Sequence, residues 1–375
     1  MIKNIWSYTC NQKTFYNKIE AIKESVDHNQ PIYFNSPESY NHYPWTTEPI
    51  DSWESILKER ALEIRNSSNY INLLFGGGCD SKKMLDTFVK NNIFIDEITC
   101  LRYGFTKGDY EVNTFAIPYL EKIKNQIPRT KISIQTATID DYKNFYNSPD
   151  WIKKYCYPSH QRFRLTHESF NRVYKASKQN NSTVLIGRDK PTLIYRNNKW
   201  YFYFLDVDIE LNQPAIEAGC VFFYADSPKV HAKQCHMLMN YFKSNFDTDQ
   251  FTTPSEVKKV GESHINFGCG RIASVEESFP DKARGNFNIL DNGNQILVQN
   301  KKDLYAVKEL LKDENNKHLV YTWQKGLKNI DEKYRTKWFN EGNPLYSTIG
   351  VYSKFYGLTQ PEVLTIDELA PNGLY

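Results

Sequence analysis

The feature that most constrains the fold is a short apolar segment that runs directly into three consecutive glycines. Residues 70–75 are apolar and partly β-branched, as in a strand buried on both faces. Gly76, Gly77 and Gly78 follow, and apolar residues then recur at helical spacing, at Met84, Leu85, Phe88 and Val89. A strand, a glycine loop and a helix in this order predict the start of a βαβ unit, and therefore a parallel sheet.

The segments that follow continue this alternation. Further strands are predicted at residues 97–104, 131–136 and 182–187. A helical pattern separates each of these strands from the strand before it. We therefore expect an α/β fold with a doubly wound parallel sheet. After the fourth strand, residues 192–205 are typical of a β-hairpin, and a helix is predicted around residues 228–243.

Changes in composition divide the chain into three predicted parts. Residues 1–60 form an N-terminal extension that we expect to be irregular up to about residue 50, because Tyr, Asn and Pro dominate it. Residues 61–245 form the α/β domain. Residues 246–375 are predicted to form a mostly helical substrate or lid region, with amphipathic stretches at 302–311 and 317–328.

A glycine loop that leads from a strand into a helix is suited to binding an anion. The first amides of a helix have no partner within the helix, and the helix dipole adds to their attraction for negative charge. Ser81 offers a hydroxyl donor, whereas Asp80 would repel a phosphate unless it holds Mg²⁺ or caps the helix. The spacing excludes both G-x-x-x-x-G-K-[ST] and G-x-G-x-x-G.

The segment Gly76-Gly77-Gly78-Cys79-Asp80-Ser81 resembles the PP-loop of the ATP pyrophosphatases, whose pattern is S-G-G-x-D-S after the first strand of the sheet. The chain departs from it at Gly76, where the family has a serine hydroxyl. The resemblance implies a PP-loop fold of the HUP type over residues 60–245, with ATP and Mg²⁺ as cofactors. It also implies cleavage of ATP between its α and β phosphates. The implied nucleotide-binding residues are Leu74, Phe75, Gly76, Gly77, Gly78, Cys79, Asp80, Ser81, Arg102 and Gly187.

Two further strand ends fit this resemblance. Arg102 ends the strand that approaches the adenosine in the family, although a core strand with an exposed arginine explains it as well. Arg188 and Lys190 follow Gly187 and would steady the leaving pyrophosphate, while Asp189 and Asp80 would hold Mg²⁺. Asp80, Ser81, Arg188 and Lys190 are thus the implied catalytic residues. A tight turn with solvated charges is the alternative interpretation of residues 187–190.

The histidines and cysteines give weaker indications. His231 and Cys235 share a helical face and His236 adjoins them, but no second ligand pair has zinc-like spacing, so packing in the core is the better interpretation. Cys79 at a helix start would have a lowered pKa and is a conceivable nucleophile, although no dedicated base is visible. Basic and aromatic residues between 258 and 287 could face RNA, and a solvated surface is the default.

Composition narrows the class of protein. Lys and Arg exceed Asp and Glu by 47 − 44 = 3, which argues against a nucleic-acid partner. The seven cysteines contain no CxxC pair, which indicates reduced thiols and weakens a sulfurtransferase function. The start has no signal-peptide pattern, and no apolar run approaches the roughly 18 residues of a membrane span. We therefore expect a cytoplasmic protein with no membrane partner.

These observations lead to one principal functional expectation. The chain would adenylate a carboxylate or carbonyl-type small molecule, release pyrophosphate and transfer the activated group to an amine or ammonia, as in asparagine-synthetase-like ligases. Ile2 follows Met1, so the nucleophilic cysteine of a glutaminase domain is missing, and a separate ammonia or amine donor is expected. The alternatives are a tRNA- or nucleotide-modifying enzyme on the same fold and an ATP-binding module with reduced catalysis.

Overall fold

The computed structural model describes residues 6–102, 112–138, 140–141, 173, 182–187, 192–204, 206, 219–245, 288–291, 294–297, 332 and 350–371. Strands and helices are numbered in chain order within these ranges. The strands are β1 (Ser7–Cys10), β2 (Lys13–Phe15), β3 (Tyr33–Asn35), β4 (Ile71–Leu74), β5 (Glu97–Arg102), β6 (Lys131–Thr136), β7 (Thr183–Ile186), β8 (Thr192–Arg196), β9 (Lys199–Tyr203), β10 (Val221–Phe222), β11 (Asn288–Asp291), β12 (Asn294–Leu297), β13 (Phe355–Gly357) and β14 (Val363–Leu364). The helices are α1 (Lys18–His28), α2 (Glu38–Asn41), α3 (Trp53–Ser67), α4 (Cys79–Lys90), α5 (Ile117–Ile123), α6 (Pro228–Asn245) and α7 (Ile366–Leu369).

The central element is a five-stranded sheet in the order β10-β7-β4-β5-β6, with every neighbouring pair parallel. If the five strands are numbered 1 to 5 in chain order, the sheet reads 3-2-1-4-5 from the β6 edge to the β10 edge. This is a Rossmann-like arrangement. Leu73 of β4 lies opposite Ile98 of β5 and Leu185 of β7, and all three are fully buried. The predicted α/β class and its four predicted strands are confirmed.

Helices α3, α4, α5 and the start of α6 contribute to one core cluster on one face of this sheet. Side chains alternate across a strand, so Leu73, Ile98 and Leu185 belong to that face. The opposite face carries buried residues of mixed polarity, and there the Thr99 hydroxyl donates to Asn72 Oδ1 over 2.8 Å. All these described helices pack on one face, and the doubly wound arrangement stays a prediction.

The expectation of an irregular N-terminal segment is wrong. Strands β1, β2 and β3 form an antiparallel sheet, and α1 begins after Asn17, whose side chain accepts a hydrogen bond from the Ile19 amide. The β1–β2 turn has left-handed backbone at Asn11 and Gln12, with φ of 49° and 61°. These strands have three or four residues, too few for an alternating pattern to stand out in the sequence.

A second sheet has the order β14-β13-β9-β8. Its β8–β9 hairpin confirms the predicted one and turns through Asn197 and Asn198, both with left-handed backbone. Strand β13 pairs with β9 across about 150 residues of chain. Three residues after β9, the buried Asp206 carboxylate accepts from the Tyr8 hydroxyl and lies 2.6 Å from Lys18 Nζ. The N-terminal sheet is thus joined to the second sheet.

One predicted part boundary falls inside a helix, and strand pairing links the parts of the chain on either side of the other. Residue 60 lies inside α3, and the pairing of β9 with β13 crosses residue 246. After residue 246 the described ranges contain strands β11 to β14 and the short helix α7. The amphipathic stretches at 302–311 and 317–328 lie outside the described residues, and the mostly helical character of this part stays a prediction.

Candidate functional site

The glycine loop leaves the sheet at the carboxyl end of β4. Phe75 still donates its amide to the Thr99 carbonyl of β5 over 2.9 Å, and both Leu74 and Phe75 are buried beneath the loop. Gly77 has φ of 77°, a left-handed conformation that favours glycine over any residue with a Cβ. Gly78 is extended and is the N-cap of α4. The chain thus passes from a strand to a helix within four residues, because glycine permits this path.

The first turn of α4 faces this loop with its backbone amides. Gly78 supplies no side-chain cap, and the first intrahelical bond runs from the Lys82 amide to the Gly78 carbonyl over 2.9 Å. The Ser81 hydroxyl donates to the same carbonyl over 3.1 Å. Asp80 lies in this turn, and its carbonyl accepts from the Tyr224 hydroxyl over 2.9 Å. The turn combines the amides, a hydroxyl and a carboxylate expected of a site for phosphate with a cation.

Gly187 brings a second strand end to this turn. It follows β7, and a Cβ placed on it would lie 3.1 Å from Ser81 Cα and 3.2 Å from the Ser81 amide nitrogen. Such contacts are tighter than most Cβ contacts in proteins, so any larger residue would require the helix backbone or the end of β7 to shift by a few tenths of an ångström. In the observed strand order, β4 and β7 flank the point where successive crossovers change direction, which is where parallel sheets bind ligands. The structure therefore brings the predicted residues Gly76–Ser81 and Gly187 together.

Arg102 lies at the carboxyl end of β5, one strand away. Its Nε donates to the Thr136 hydroxyl of β6 over 2.7 Å, and its carbonyl accepts from the Ala137 amide. The side chain is half-buried at this edge of the sheet. This contact fits the core-strand interpretation, while a role with adenosine stays a prediction.

Several predicted site residues cannot be placed. Arg188, Asp189 and Lys190 lie outside the described residues, as does the side chain of Cys79. Their predicted roles therefore stay predictions.

The described part of the chain shows no group of three or more His, Cys, Asp or Glu residues arranged for a metal ion. Cys235 and His231 are fully buried on α6, and His236 donates from Nε2 to the Trp45 carbonyl over 2.8 Å. The Cys235 position agrees with the core interpretation. Burial lowers the pKa of His231 to about 3, so its imidazole is neutral at pH 7.

The sequence analysis did not identify a charged cluster on α4, on the side that faces α5. Lys82 Nζ donates to Asp86 Oδ2 over 2.6 Å, and the Tyr119 hydroxyl of α5 donates to Asp86 Oδ1. Lys82 and Asp86 are buried, at 7% and 8% exposed. The four-residue spacing of a lysine and an aspartate on one helix is visible in the sequence. Their burial is not, because it depends on α5 packing beside α4.

Comparison with known proteins assigns neither a family nor a function to the chain. No protein-family model matches the chain, and no curated protein matches it. In the ranges the structure covers, no helix has both the length and the apolar composition that a membrane crossing requires. The loop, the first turn of α4 and Gly187 are therefore the features of the chain that bear on its function.

Proposed function

We propose that the chain is an ATP-binding enzyme of the PP-loop type that converts ATP to AMP and pyrophosphate. It would activate a carboxylate or carbonyl-type small molecule and transfer the product to an amine or ammonia. The observation that carries this proposal is the position of the S-G-G-x-D-S-like loop, at the carboxyl ends of β4 and β7 where the 3-2-1-4-5 strand order changes direction. The doubly wound fold of the family is part of this proposal.

Each residue of the first turn would have a distinct task. The backbone from Gly76 to Gly78 would admit the β and γ phosphates closely, since no side chain stands in the way. The amides at the start of α4 would stabilise the negative charge that develops on the leaving pyrophosphate. Ser81 would exchange its local bond to the Gly78 carbonyl for a bond to a phosphate oxygen.

The donors present fit a nucleotide-bound Mg²⁺. In nucleotide sites this ion is held by one or two carboxylates and the phosphates, and it keeps several waters. Asp80 supplies one carboxylate in the first turn of α4. Bound there, Mg²⁺ would neutralise phosphate charge, and Asp80 would orient the triphosphate relative to the amides.

Product analysis tests this proposal directly. ATP labelled at the α phosphate is incubated with the protein, Mg²⁺, ammonium and pooled amino acids and other carboxylates. The labelled nucleotides are separated, and the pyrophosphate and phosphate released are assayed independently. AMP with pyrophosphate is expected, and ADP with phosphate would refute the reaction. Asp80→Ala should abolish turnover without unfolding the protein, because the contact with Tyr224 uses the Asp80 carbonyl. Asp51→Ala, a surface carboxylate paired with Lys229, is the matched control and should retain turnover.

One observation favours a second candidate, an ATP-binding module with reduced catalysis. A Cβ on Gly76 would meet nothing within 4 Å, so the structure has room for the serine of the family pattern. The missing hydroxyl is therefore not explained by crowding. Calorimetric binding of ATP with no AMP formed from any acceptor in the pool would favour this candidate. RNA binding that weakens with salt would favour the nucleotide-modifying alternative instead.

A further inference from the structure

One aromatic ring contacts the chain on both sides of the glycine loop. The Tyr119 ring of α5 lies 6.0 Å, centroid to centroid, from the ring of Phe75, which directly precedes Gly76. The same ring lies 4.6 Å from the ammonium of Lys82, directly after the loop segment. Both contacts are within the range of favourable aromatic and cation–π interactions. A single side chain from a neighbouring helix thus contacts the entry and the exit of the loop.

Asp86 completes this arrangement. Its two carboxylate oxygens accept separate bonds, one from Lys82 Nζ over 2.6 Å and one from the Tyr119 hydroxyl. Burial raises the pKa of Tyr119, and the hydrogen bond to Asp86 raises it further, so the phenol keeps its proton at neutral pH. Tyr119 therefore remains a donor, and α5 stays bonded to α4.

The buried cluster of Lys82, Asp86 and Tyr119 is not the arrangement expected if these positions contributed only to the stability of the fold. Taking a lysine and an aspartate out of water carries a desolvation cost, and an apolar pair of similar volume is often as stable or more so. On a helix, an acid four residues after a lysine is also the weaker order for an ion pair. The three glycines between the contacts have large conformational freedom, and an ordered loop must lose it.

We propose that Tyr119, Asp86 and Lys82 form a clamp that holds the glycine loop in its ligand-ready conformation. The three are positioning residues. They fix Phe75 and the start of α4, and so reduce the ordering cost that a ligand would otherwise meet on binding. The use of the clamp for a nucleoside triphosphate rests on the proposed function, whereas the ordering of the loop does not.

Hydrogen exchange of the free protein tests the clamp without any ligand. Tyr119→Phe keeps the ring and removes only the hydroxyl, and Asp86→Asn removes the charge that both donors share. Within residues 76–82, exchange of the Lys82 amide, which donates to the Gly78 carbonyl, should become about tenfold faster in each variant, as the loss of one hydrogen bond to a charged group implies. Exchange in residues 71–74 should stay as in the wild type. Unchanged exchange at 76–82 would overturn the clamp.

The chain offers a matched control at the opposite end of the sheet. Asp96 lies 2.6 Å from Arg65 Nη1, and its Oδ2 also accepts from the Ile71 amide. This carboxylate thus has two donors, as Asp86 does, but it precedes β5 instead of facing the loop. Asp96→Asn should lower overall stability and leave exchange at residues 76–82 unchanged. An equal rise there would mean general loosening and would also overturn the clamp.

Calorimetry with MgATP then separates this inference from the proposed function. If both hold, Tyr119→Phe and Asp86→Asn bind MgATP about tenfold more weakly than the wild type, and Asp96→Asn binds it equally well. If the wild type binds MgATP but the clamp variants bind it equally well, the positioning role is refuted and the proposed function stands. If the wild type binds no nucleotide, the proposed function fails, and hydrogen exchange still decides whether the clamp exists.

Discussion

His231 should make the stability of this protein depend on pH between about 3 and 6.5. The imidazole is fully buried on α6, and within the described structure neither ring nitrogen has a hydrogen-bond partner. Its ring packs against Tyr40 and Phe204, with centroids 6.1 and 4.9 Å away. Burial in this aromatic setting lowers its pKa to about 3, against about 6.5 in an unfolded chain.

The sign and size of the effect follow from proton binding. Between pH 3 and 6.5 the unfolded chain binds a proton at His231 that the folded chain does not, so the free energy of unfolding falls as the pH falls. Each pH unit well inside this window corresponds to about 1.4 kcal/mol, and because the unfolded imidazole is half protonated at pH 6.5, roughly 2 kcal/mol is lost between pH 6.5 and 4.5. Well above pH 6.5 both states are neutral at this residue, and its contribution to the free energy of unfolding no longer varies with pH.

A second buried group acts in the opposite direction and must be separated from the first. Burial raises the pKa of Asp226 to about 6, and its carboxylate accepts from the Phe222 amide and from Trp6 Nε1. As pH falls from 6 to about 4, the folded state takes up this proton before the unfolded state does, and stability rises. The free energy of unfolding of the wild type therefore varies less with pH than His231 alone would make it. Only the difference in this free energy between the wild type and a His231 variant isolates the contribution of His231.

The assay compares urea unfolding of the wild type and His231→Phe from pH 7.5 to 4.5. The free-energy difference between the two should shift in favour of the variant by roughly 2 kcal/mol between pH 6.5 and 4.5. His231→Leu serves as a second variant, without an aromatic ring. Val230→Ala, a buried neighbour on the same helix, should be less stable than the wild type by a constant amount at every pH. Parallel curves for the wild type and both His231 variants would refute the reasoning.

Two further predictions concern the glycines of the candidate site. Gly187→Ala should lower the free energy of unfolding by about 1–3 kcal/mol in urea titrations, because its Cβ would crowd the Ser81 backbone at 3.1 Å. Gly76→Ala is its control and should stay within about 0.5 kcal/mol of the wild type, since its Cβ meets open space. Gly76→Ser should be similarly stable and should bind pyrophosphate about tenfold more tightly by calorimetry, if its hydroxyl donates to a phosphate. Equal affinity in Gly76→Ser and Gly76→Ala would contradict that hydroxyl role.

The elements that could be predicted are those whose patterns are local. Strand β6 spans residues 131–136 as predicted, and β4 and β7 are each one residue shorter at both ends than predicted. Ser52, a residue type that favours the N-cap position, caps α3, and its hydroxyl oxygen accepts from the Ser55 amide. The helical segment between β5 and β6 is less regular than a single α-helix. A π turn (Val112–Ala116) precedes α5, which places Pro118 at the second position of that helix, where its missing amide costs little.

The features that could not be predicted depend on contacts between distant residues. Tyr119 meets Asp86 from 33 residues away, and only the packing of α5 beside α4 brings them together. Strand β13 has three residues and is defined by its pairing with β9. The Lys18–Asp206 pair joins residues far apart in sequence, and neither residue carries a local sign of complete burial. Such contacts depend on how the elements pack in the tertiary structure, which no local pattern specifies.

The position of Gly187 shows how strand order determines the candidate site. The sequence predicted the strand before this glycine but not its neighbour in the sheet. If β7 lay beyond β6, three strand spacings of about 4.8 Å each would place it roughly 14 Å from β4. The first turn of α4 would then be out of reach of the end of β7. In the observed order β7 adjoins β4, and a Cβ at Gly187 would come within 3.1 Å of Ser81 Cα. Glycine therefore stands where, in this strand order, a side chain would require the neighbouring backbone to shift, and the two glycine-bearing strand ends meet at one edge of the sheet.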